Sequence, residues 1–202
     1  MDNPGSNKKI ALEMDRPIWD RFFLVHPLVV IGTSDEDGSD NLAPKHMAFP
    51  MGWENYFAFV CTPRHSTYHN ARREGHFTVS YPYPEGVAFS SLTATKREAD
   101  DSKPTIKVLP TEKAPNSDCI FLKDAYLQLE CEFNRTVENF GENSLVIGNI
   151  KAAYIDEAML RNESKDDGDL IYQNPILAYI SPGRFSVIKK THAFPFPEEF
   201  NY

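Results

Sequence analysis

The sequence lacks the short motifs that mark several large enzyme classes. Its ten glycines include no Gly-x-Gly pair, so it has neither a dinucleotide-binding fingerprint nor a phosphate-binding P-loop. It also has no Gly-x-Ser-x-Gly elbow and no His-Glu-x-x-His pair, which excludes the common serine-hydrolase and zinc-protease sites. Any nucleotide-like ligand must therefore be held by something other than a Rossmann crevice.

Cysteines and long apolar runs are also scarce. The three cysteines, Cys61, Cys119 and Cys131, show no Cys-x-x-Cys spacing, and an odd number cannot form a closed disulfide framework. The N-terminus is polar, and the most apolar run, Phe22 to Ile31, is interrupted by a histidine and a proline and is too short to span a bilayer. These features predict a cytoplasmic protein with no membrane association.

Positive charge is in deficit. Lysine and arginine total 21 against 29 aspartates and glutamates, which gives a formal net charge of −8. A chain this acidic repels nucleic-acid phosphates unless a basic patch overrides the field, and no such patch is visible in the sequence. Nucleic-acid binding is not expected.

The chain of 202 residues is long enough for one domain with a substantial core. We expect a flexible N-terminal tail over residues 1–14 and a single domain over 15–202, with a long irregular loop at about 96–118. The absence of repeats and of Gly/Ser-rich linkers supports this division.

Most of the chain reads as short strands. In the strand Ala125–Phe133, apolar and polar residues alternate, which predicts one face on the core and the other, including Glu130, in water. A strand over Asn41–Phe49 contains two prolines, and Gly148 marks a bend, a bulge or a close approach in another strand. The pattern predicts a mainly β, α+β fold built on an antiparallel barrel.

Three helices are expected. A short one begins near Asp15 and runs through Phe23, with Pro17 in its first turn. A second, over Tyr68–Glu74, ends at Gly75, which is a typical helix stop. A third, short one over Asp156–Arg161 is capped by Asp156.

The segment Cys61–Thr67 carries the most suggestive chemistry. It lies where a strand ends and a helix begins, so backbone N–H groups are free to bind an anion. Arg64 and the hydroxyls of Thr62, Ser66 and Thr67 add donors that suit a phosphate. The alternative, that Ser66 is only an N-cap and Arg64 only a solvated surface residue, stays open.

Other candidates are weaker. Pro44 and Pro50 interrupt strand pairing, which leaves backbone groups for a flat heterocyclic ligand, although taken alone they are explained better by an edge strand whose prolines face solvent. His65 and His69 have the spacing of two metal ligands but no third ligand accompanies them, so no metal site is expected. Cys61 is interpreted as a buried strand residue rather than a nucleophile.

The order of these motifs resembles the flavin reductase-like FMN-binding split-barrel family, which includes the flavoredoxins. The resemblance rests on short segments spread over roughly residues 27–160. They are Asn41-x-Ala43-Pro44, Ser66-Thr67 at a helix start, Glu74-Gly75-His76-Phe77-Thr78-Val79, Leu92-Thr93, the strand Leu127–Glu132, and Val146–Ala153.

The resemblance implies a six-stranded antiparallel Greek-key split β-barrel with a few flanking helices, forming a homodimer that holds FMN near the subunit interface. It implies three groups of cofactor-binding residues. The group around the flavin ring is Lys45, His46, Met47, Ala48, Phe49, Pro50, Met51 and Gly52. The group around the phosphate and ribityl chain is Cys61, Thr62, Arg64, His65, Ser66 and Thr67, and the group on another side of the flavin is Thr93, Ala94 and Thr95.

The leading hypothesis is an FMN-dependent NAD(P)H oxidoreductase that passes electrons to a small-molecule acceptor or redox partner. Because the flavin carries the chemistry, no catalytic residue is assigned. Ser91 stands where the family often has glycine, and the loop at 96–118 is long enough to cover the nicotinamide face. An FMN-binding electron carrier without NAD(P)H activity, or a flavin-less split-barrel binding protein, are the alternatives.

Overall fold

A seven-stranded antiparallel sheet dominates the fold. The computed structural model describes residues 9–197, so only residues 9–14 of the predicted N-terminal tail are described, and they form neither helix nor strand. The strand order in this sheet is β3-β2-β6-β9-β10-β5-β4. Its strands are β2 Val29–Ser34, β3 Asp40–Lys45, β4 Ala48–Pro50, β5 Tyr56–Cys61, β6 His76–Pro82, β9 Ala125–Phe140 and β10 Asn143–Ile155.

The sheet curls because its two edges belong to one stretch of chain. Strand β3 pairs with β2 at one edge, and β4, which begins only three residues later, pairs with β5 at the other. The chain therefore crosses the gap of a split barrel at His46 and Met47. The mainly β split-barrel prediction is confirmed, but the predicted count of six strands is too low, because the expected single strand Asn41–Phe49 is two strands.

The barrel interior is filled by aromatic and β-branched residues. Phe57, Phe59 and Phe77 are almost completely buried, and the Phe77 ring packs edge to face with Phe59 at a centroid distance of 5.3 Å and at a tilt with Phe57 at 6.5 Å. Gly148 lies against the Phe77 ring, since a Cβ atom there would fall 2.6 Å from Cζ of Phe77. The register of β9 and β10 also shifts beside Gly148. The predicted close approach and bulge at this glycine are both confirmed.

Helix α1, Ser66–Glu74, packs one face on the barrel core through Tyr68 and Ala71. It ends at Gly75, whose φ of 75° lies in the left-handed region that glycine adopts without strain. The predicted helix and its stop are confirmed. Two other helices, α2 Val87–Leu92 and α3 Asp167–Gln173, were not predicted.

The long connection at 96–118 is more ordered than predicted. It contains a 3₁₀ helix at Pro104–Val108 and a strand β7, Thr111–Lys113, that pairs with β8, Ile120–Leu122. Ile106 and Leu109 anchor it in a second buried cluster with residues of β2, β3 and β8. These apolar side chains hold the connection on the barrel.

The same connection overturns one prediction for β9. Glu130, expected to face water, is only 4% exposed. Its carboxylate accepts hydrogen bonds from the backbone and side-chain amides of Asn116 at 3.1 and 2.9 Å and from the Tyr154 hydroxyl at 2.8 Å. The alternation of β9 was interpreted correctly as two faces, and Glu132 and Asn134 are exposed as predicted, but residues near 116 cover the second face at Glu130.

A small sheet lies beside the barrel, in the order β1-β11-β12, with strands Leu24–Pro27, Ile176–Ser181 and Arg184–Ile188. The helix predicted to begin near Asp15 is wrong: residues 15–23 form only turns and bends before β1. Trp19 and Phe23 are 58% and 67% exposed, so these two aromatic side chains provide little of the tertiary packing that stabilises a short helix.

The three cysteines, expected to be free, are buried thiols. Within residues 9–197, no helix has both the length and the apolar character needed to cross a bilayer.

Candidate functional site

A cavity of about 430 Å³ lies at the N-terminus of α1. We call it the basic cavity, because five lysines and arginines contribute to its wall while no described lining residue is acidic. Its walls come from β3, the start of α1 and the segment 93–103. The lining residues are Asn41, Ala43, Pro44, Lys45, Arg64, His65, Ser66, Thr67, Thr93, Ala94, Thr95, Lys96, Arg97 and Lys103.

The start of α1 offers hydrogen-bond donors to this cavity. His65, not Ser66, is the N-cap residue, and no side chain caps the helix. The first N–H groups of a helix have no intrahelical acceptor and carry partial positive charge. The Thr67 hydroxyl accepts a hydrogen bond from the Asn41 amide at 3.2 Å, which fixes α1 on β3. The cavity thus contains the start of α1 with Ser66 and Thr67, which the sequence predicted as part of a phosphate site; their binding role stays a prediction.

Lys103 supplies a partly buried cation. Its ammonium donates to the carbonyl oxygens of Leu42 and Thr93 at 2.7 and 2.6 Å, which leaves one of its three protons available. Burial and the neighbouring Arg97 lower the pKa of Lys103 to about 8. Burial, with Lys45, Arg64 and Lys103 nearby, also lowers the pKa of His65. Each of these cations disfavours the protonated form of its neighbours, and a bound anion would relieve this repulsion.

A polar network holds the segment that carries Arg97 and Lys103. The Arg97 guanidinium donates to both carboxylate oxygens of Asp35 at 2.8 Å and to the Asn41 amide oxygen at 3.2 Å. Asp35 also accepts from Asn70 of α1 at 2.7 Å. The network therefore ties the segment both to the turn after β2 and to α1. Arg64 instead forms an exposed ion pair with Glu142.

A second cavity, of about 520 Å³, adjoins the first. We call it the hairpin cavity, because the β11–β12 hairpin forms one of its walls, with α2 opposite and residues 44–46 between them. The two cavities share Pro44, Lys45 and Ala94, so they form one continuous groove.

Aromatic rings stiffen the wall of the hairpin cavity. The His46 ring lies 4.7 Å from the Tyr179 ring and 5.3 Å from the His26 ring, centroid to centroid. The Tyr179 hydroxyl accepts a hydrogen bond from the Gly183 amide at 2.9 Å, which fixes it to the hairpin turn. Partial burial, followed by repulsion from His26 and Lys45, lowers the pKa of His46, so its imidazole is mainly neutral at pH 7.

The structure brings together about half of the predicted cofactor residues. Those in the basic cavity are Lys45, Arg64, His65, Ser66, Thr67, Thr93, Ala94 and Thr95, and His46 lies in the adjoining hairpin cavity. The hydroxyls of Thr93 and Thr95 donate to the carbonyls of Ser90 and Leu92, so they are already engaged as donors.

The other predicted residues line neither cavity. Strand β4 contains three of them, Ala48, Phe49 and Pro50, of which Ala48 is buried and Phe49 is exposed. Met47 precedes this strand, and Met51 and Gly52 follow it. Cys61 is buried in the core, and burial raises the pKa of its thiol. Thr62 lies in a shallow depression with Arg64 and Glu142. Their binding roles stay predictions.

Besides Asn41, Ala43 and Pro44 of β3, the predicted cofactor residues omitted three cations of the basic cavity, Lys96, Arg97 and Lys103. These three cations follow the Leu92-Thr93 pair within eleven residues, in the segment interpreted only as an irregular loop. Three cations so close behind an expected ligand-binding segment were the available signal. Within the described residues, no group of three or more His, Cys, Asp or Glu side chains is placed to hold a metal ion.

Comparison with known proteins gives a consistent result. The profile of the flavin reductase like domain matches residues 21–181. Component B of nitrilotriacetate monooxygenase from Bacillus cereus superposes with a TM-score of 0.78 at 14% identity, covering 94% of this chain and 100% of the other. Flavoredoxin from Methanosarcina acetivorans gives 0.74 at 19% identity, covering 95% and 97%.

A third structure, the FMN-binding protein from Thermus thermophilus with bound 1-cyclohex-2-enone, gives a TM-score of 0.72 at 16% identity and covers 93% and 99% of the two chains. At these identities the superpositions establish the shared fold. No curated protein sequence matches the chain.

Proposed function

The chain belongs to the flavin reductase-like domain family, and from this premise we propose that it is an oxidoreductase that binds FMN and accepts hydride from NAD(P)H. The observation that carries the proposal is the basic cavity. A protein with a net charge of −8 lines this cavity with five lysines and arginines and, among the described residues, with no acidic one. Arg64 and Arg97 are paired with Glu142 and Asp35 outside the lining, whereas Lys45, Lys96 and Lys103 form no ion pair within the described residues. That arrangement stabilises a bound phosphate monoester.

The residues present fit FMN in both charge and shape. The phosphate would be held by the free N–H groups at the start of α1, the Ser66 hydroxyl, Lys103 and Lys45. The groove then continues past Pro44 and Ala94 into the apolar hairpin cavity. Together the two cavities fall in the size range of cofactor sites. The flavin ring would lie along Pro44 and Lys45, where the cavities meet.

When bound, FMN supplies the hydride chemistry, and the chain supplies position and electrostatics. Lys103, which two carbonyl oxygens fix in place, would carry the positive charge that pairs with the phosphate. Arg97 and Asp35 hold the 93–103 segment on the barrel, so the cavity keeps its shape before the ligand arrives. The hairpin cavity leaves room for a co-substrate beside the ring.

We also propose that the protein is a homodimer and that the β4–β5 edge is part of the interface. Met47, Phe49 and Trp53 are 41%, 42% and 92% exposed on this edge. Exposed apolar side chains on an edge strand favour burial against another chain. Phe49→Asp should shift the sedimentation behaviour from dimer to monomer.

The function is tested by titrating the colourless protein with FMN and then mixing the loaded protein anaerobically with NADH and, separately, with NADPH. Saturable binding with a perturbed visible spectrum is expected, followed by rapid bleaching with one of the two donors. FMN binding without bleaching would refute hydride transfer and indicate an electron carrier. The absence of FMN binding would refute the whole proposal.

Two variants locate the phosphate. Ser66→Ala should weaken FMN binding by about 1–3 kcal/mol through loss of a charge-assisted hydrogen bond. Arg64→Ala should weaken FMN binding less than Ser66→Ala does, because Arg64 is largely solvated and paired with Glu142. Riboflavin, which lacks the phosphate, is the matched ligand: its affinity should not change in Ser66→Ala.

A further inference from the structure

The amine of Lys103 is held in place by uncharged groups. Its Nζ donates to the carbonyl oxygens of Leu42 and Thr93 at 2.7 and 2.6 Å, and the side chain is partly buried. Within the part of the chain that the structure describes, no carboxylate forms an ion pair with it. Lys103 is therefore fixed in position without a counter-ion that would keep it protonated.

The two carbonyl groups also determine what the amine presents once it has lost a proton. A neutral lysine amine has two N–H groups and one lone pair. When both N–H groups donate to the carbonyls of Leu42 and Thr93, the lone pair takes the position of the third proton. No hydrogen bond among the described residues uses that position. Deprotonation of Lys103 therefore produces a nucleophile that is already oriented.

The surroundings of Lys103 favour this neutral amine. Burial lowers its pKa first, and the guanidinium group of Arg97 adds to the effect, as does Lys45 to a smaller extent. Asp35 acts in the opposite direction, but its carboxylate accepts two hydrogen bonds from Arg97 at 2.8 Å. The pKa falls to about 8, so about one-tenth of the amine is neutral at pH 7. Burial and adjacent cations are the usual means by which proteins activate a lysine.

The basic cavity adds a place for a phosphate beside this amine. Lys103 lines the cavity together with the start of α1, Lys45 and Lys96. A phosphate bound there would hold any group attached to it within the same space of about 430 Å³, which raises the effective concentration of that group at the amine. Acyl phosphates fit this arrangement, because their electrophilic carbonyl carbon is one oxygen atom away from phosphorus.

We propose that Lys103 is a modification site at which acyl phosphates transfer their acyl group to the lysine amine. The Nζ lone pair attacks the carbonyl carbon, a C–N bond forms, and the C–O bond to the phosphate breaks. Inorganic phosphate leaves with the electron pair of that bond, and the proton lost by the amine passes to solvent. No electron is transferred to or from the protein. The capture of the phosphate rests on the site proposed above, whereas the reactivity of the amine does not.

Acylation would regulate the same site. The product is an uncharged amide, so Lys103 loses the positive charge and the N–H donors that face a bound phosphate. The acylated protein should therefore bind FMN about tenfold or more weakly, while its affinity for riboflavin should not change. Bound FMN should in turn protect Lys103 from acylation, because its phosphate occupies the cavity.

The test incubates the FMN-free protein with acetyl phosphate and follows the acetylation of each lysine by mass spectrometry. Lys103 should react about tenfold faster than Lys96, which lines the same cavity but is exposed, and than the exposed Lys107 outside it. Inorganic phosphate and FMN should both slow the reaction at Lys103. Its rate should rise about ninefold between pH 7 and pH 9 and then level off, whereas the rate at a fully hydrated amine rises about a hundredfold.

Two controls separate activation of the amine from capture of the phosphate. Para-nitrophenyl acetate transfers the same acetyl group from a leaving group without a phosphate, so inorganic phosphate should not slow its reaction with Lys103. Lys107→Met should leave the rate at Lys103 unchanged.

Several results would overturn the proposal. They are equal acetylation of Lys96 and Lys103, a rate at Lys103 that neither inorganic phosphate nor bound FMN lowers, and a hundredfold rise of that rate with pH. Phosphate-sensitive acetylation of Lys103 in a protein that fails to bind FMN would support the modification site and refute the flavin function separately.

Discussion

Lys103 makes the strength of FMN binding depend on pH in a range where few other groups titrate. Its pKa is lowered to about 8 by burial and by Arg97. A group with that pKa is about 90% protonated at pH 7 and about 10% protonated at pH 9. A phosphate dianion favours the protonated form, so the dissociation constant for FMN should rise about tenfold between these two pH values.

The neighbouring groups do not produce this change. The pKa of His65 is lowered from 6.5, so its imidazole is mainly neutral throughout this range. The phosphate of FMN loses its second proton near pH 6 and is a dianion at both ends of the titration. Riboflavin should therefore bind with an affinity that does not change between pH 7 and pH 9.

Lys103→Met isolates the effect. At pH 7 this variant should bind FMN about 10–100 times more weakly, the loss expected for a charge-assisted hydrogen bond, and its affinity should no longer depend on pH. Lys107→Met is the matched control, because Lys107 is exposed and lines a neighbouring groove instead of the basic cavity. Flavin fluorescence quenching measures each constant. A pH-independent affinity in the unmodified protein, or an equal slope in Lys103→Met, would refute the reasoning.

Three further substitutions test how the site is supported, each by urea unfolding. Gly148→Ala should lower the free energy of unfolding by about 1–3 kcal/mol, since its Cβ would meet the buried ring of Phe77; an unchanged midpoint would show that the ring can move aside. Asp35→Asn should cost about 2 kcal/mol and also weaken FMN binding, because Arg97 loses its carboxylate. Glu130→Ala should cost about 2 kcal/mol through its unpaired donors and leave FMN affinity unchanged, and a large loss of FMN affinity would contradict that separation.

Local patterns predicted the elements whose cause is local. Helix α1 was predicted because its end is set by one residue type: Gly75 adopts a left-handed φ that most other residues avoid. The strand β9 was found from its alternation. Its second face was assigned to water because the alternation reports two different faces and not what covers them. Glu130 is buried by Asn116, which lies fourteen residues earlier on a separate segment.

The same limit explains the number of strands and the incomplete site. Residues 41–49 were predicted as one strand, but this stretch pairs with β2 at one end and with β5 at the other. That division depends on the curl of the whole sheet, which no local pattern encodes. Lys103 enters the basic cavity because the Ile106 and Leu109 side chains anchor its segment in the second cluster. The helix start was visible in the sequence, whereas its cationic partners were brought there by packing.

The distribution of charge around the site explains how an acidic protein can bind a phosphate and still reject longer polyanions. A groove directly beside the basic cavity shares Arg97 and Lys103 with it but is lined by the carboxylates of Asp35, Glu36, Asp37, Asp40, Asp100 and Asp101. A phosphate monoester small enough to enter the basic cavity meets the cations at short range, where little water screens them. An extended polyphosphate lying across the surface would meet the carboxylates of the groove at the same time. The net charge of −8 therefore does not oppose the proposed FMN site; it restricts that site to ligands whose charge is confined to one end.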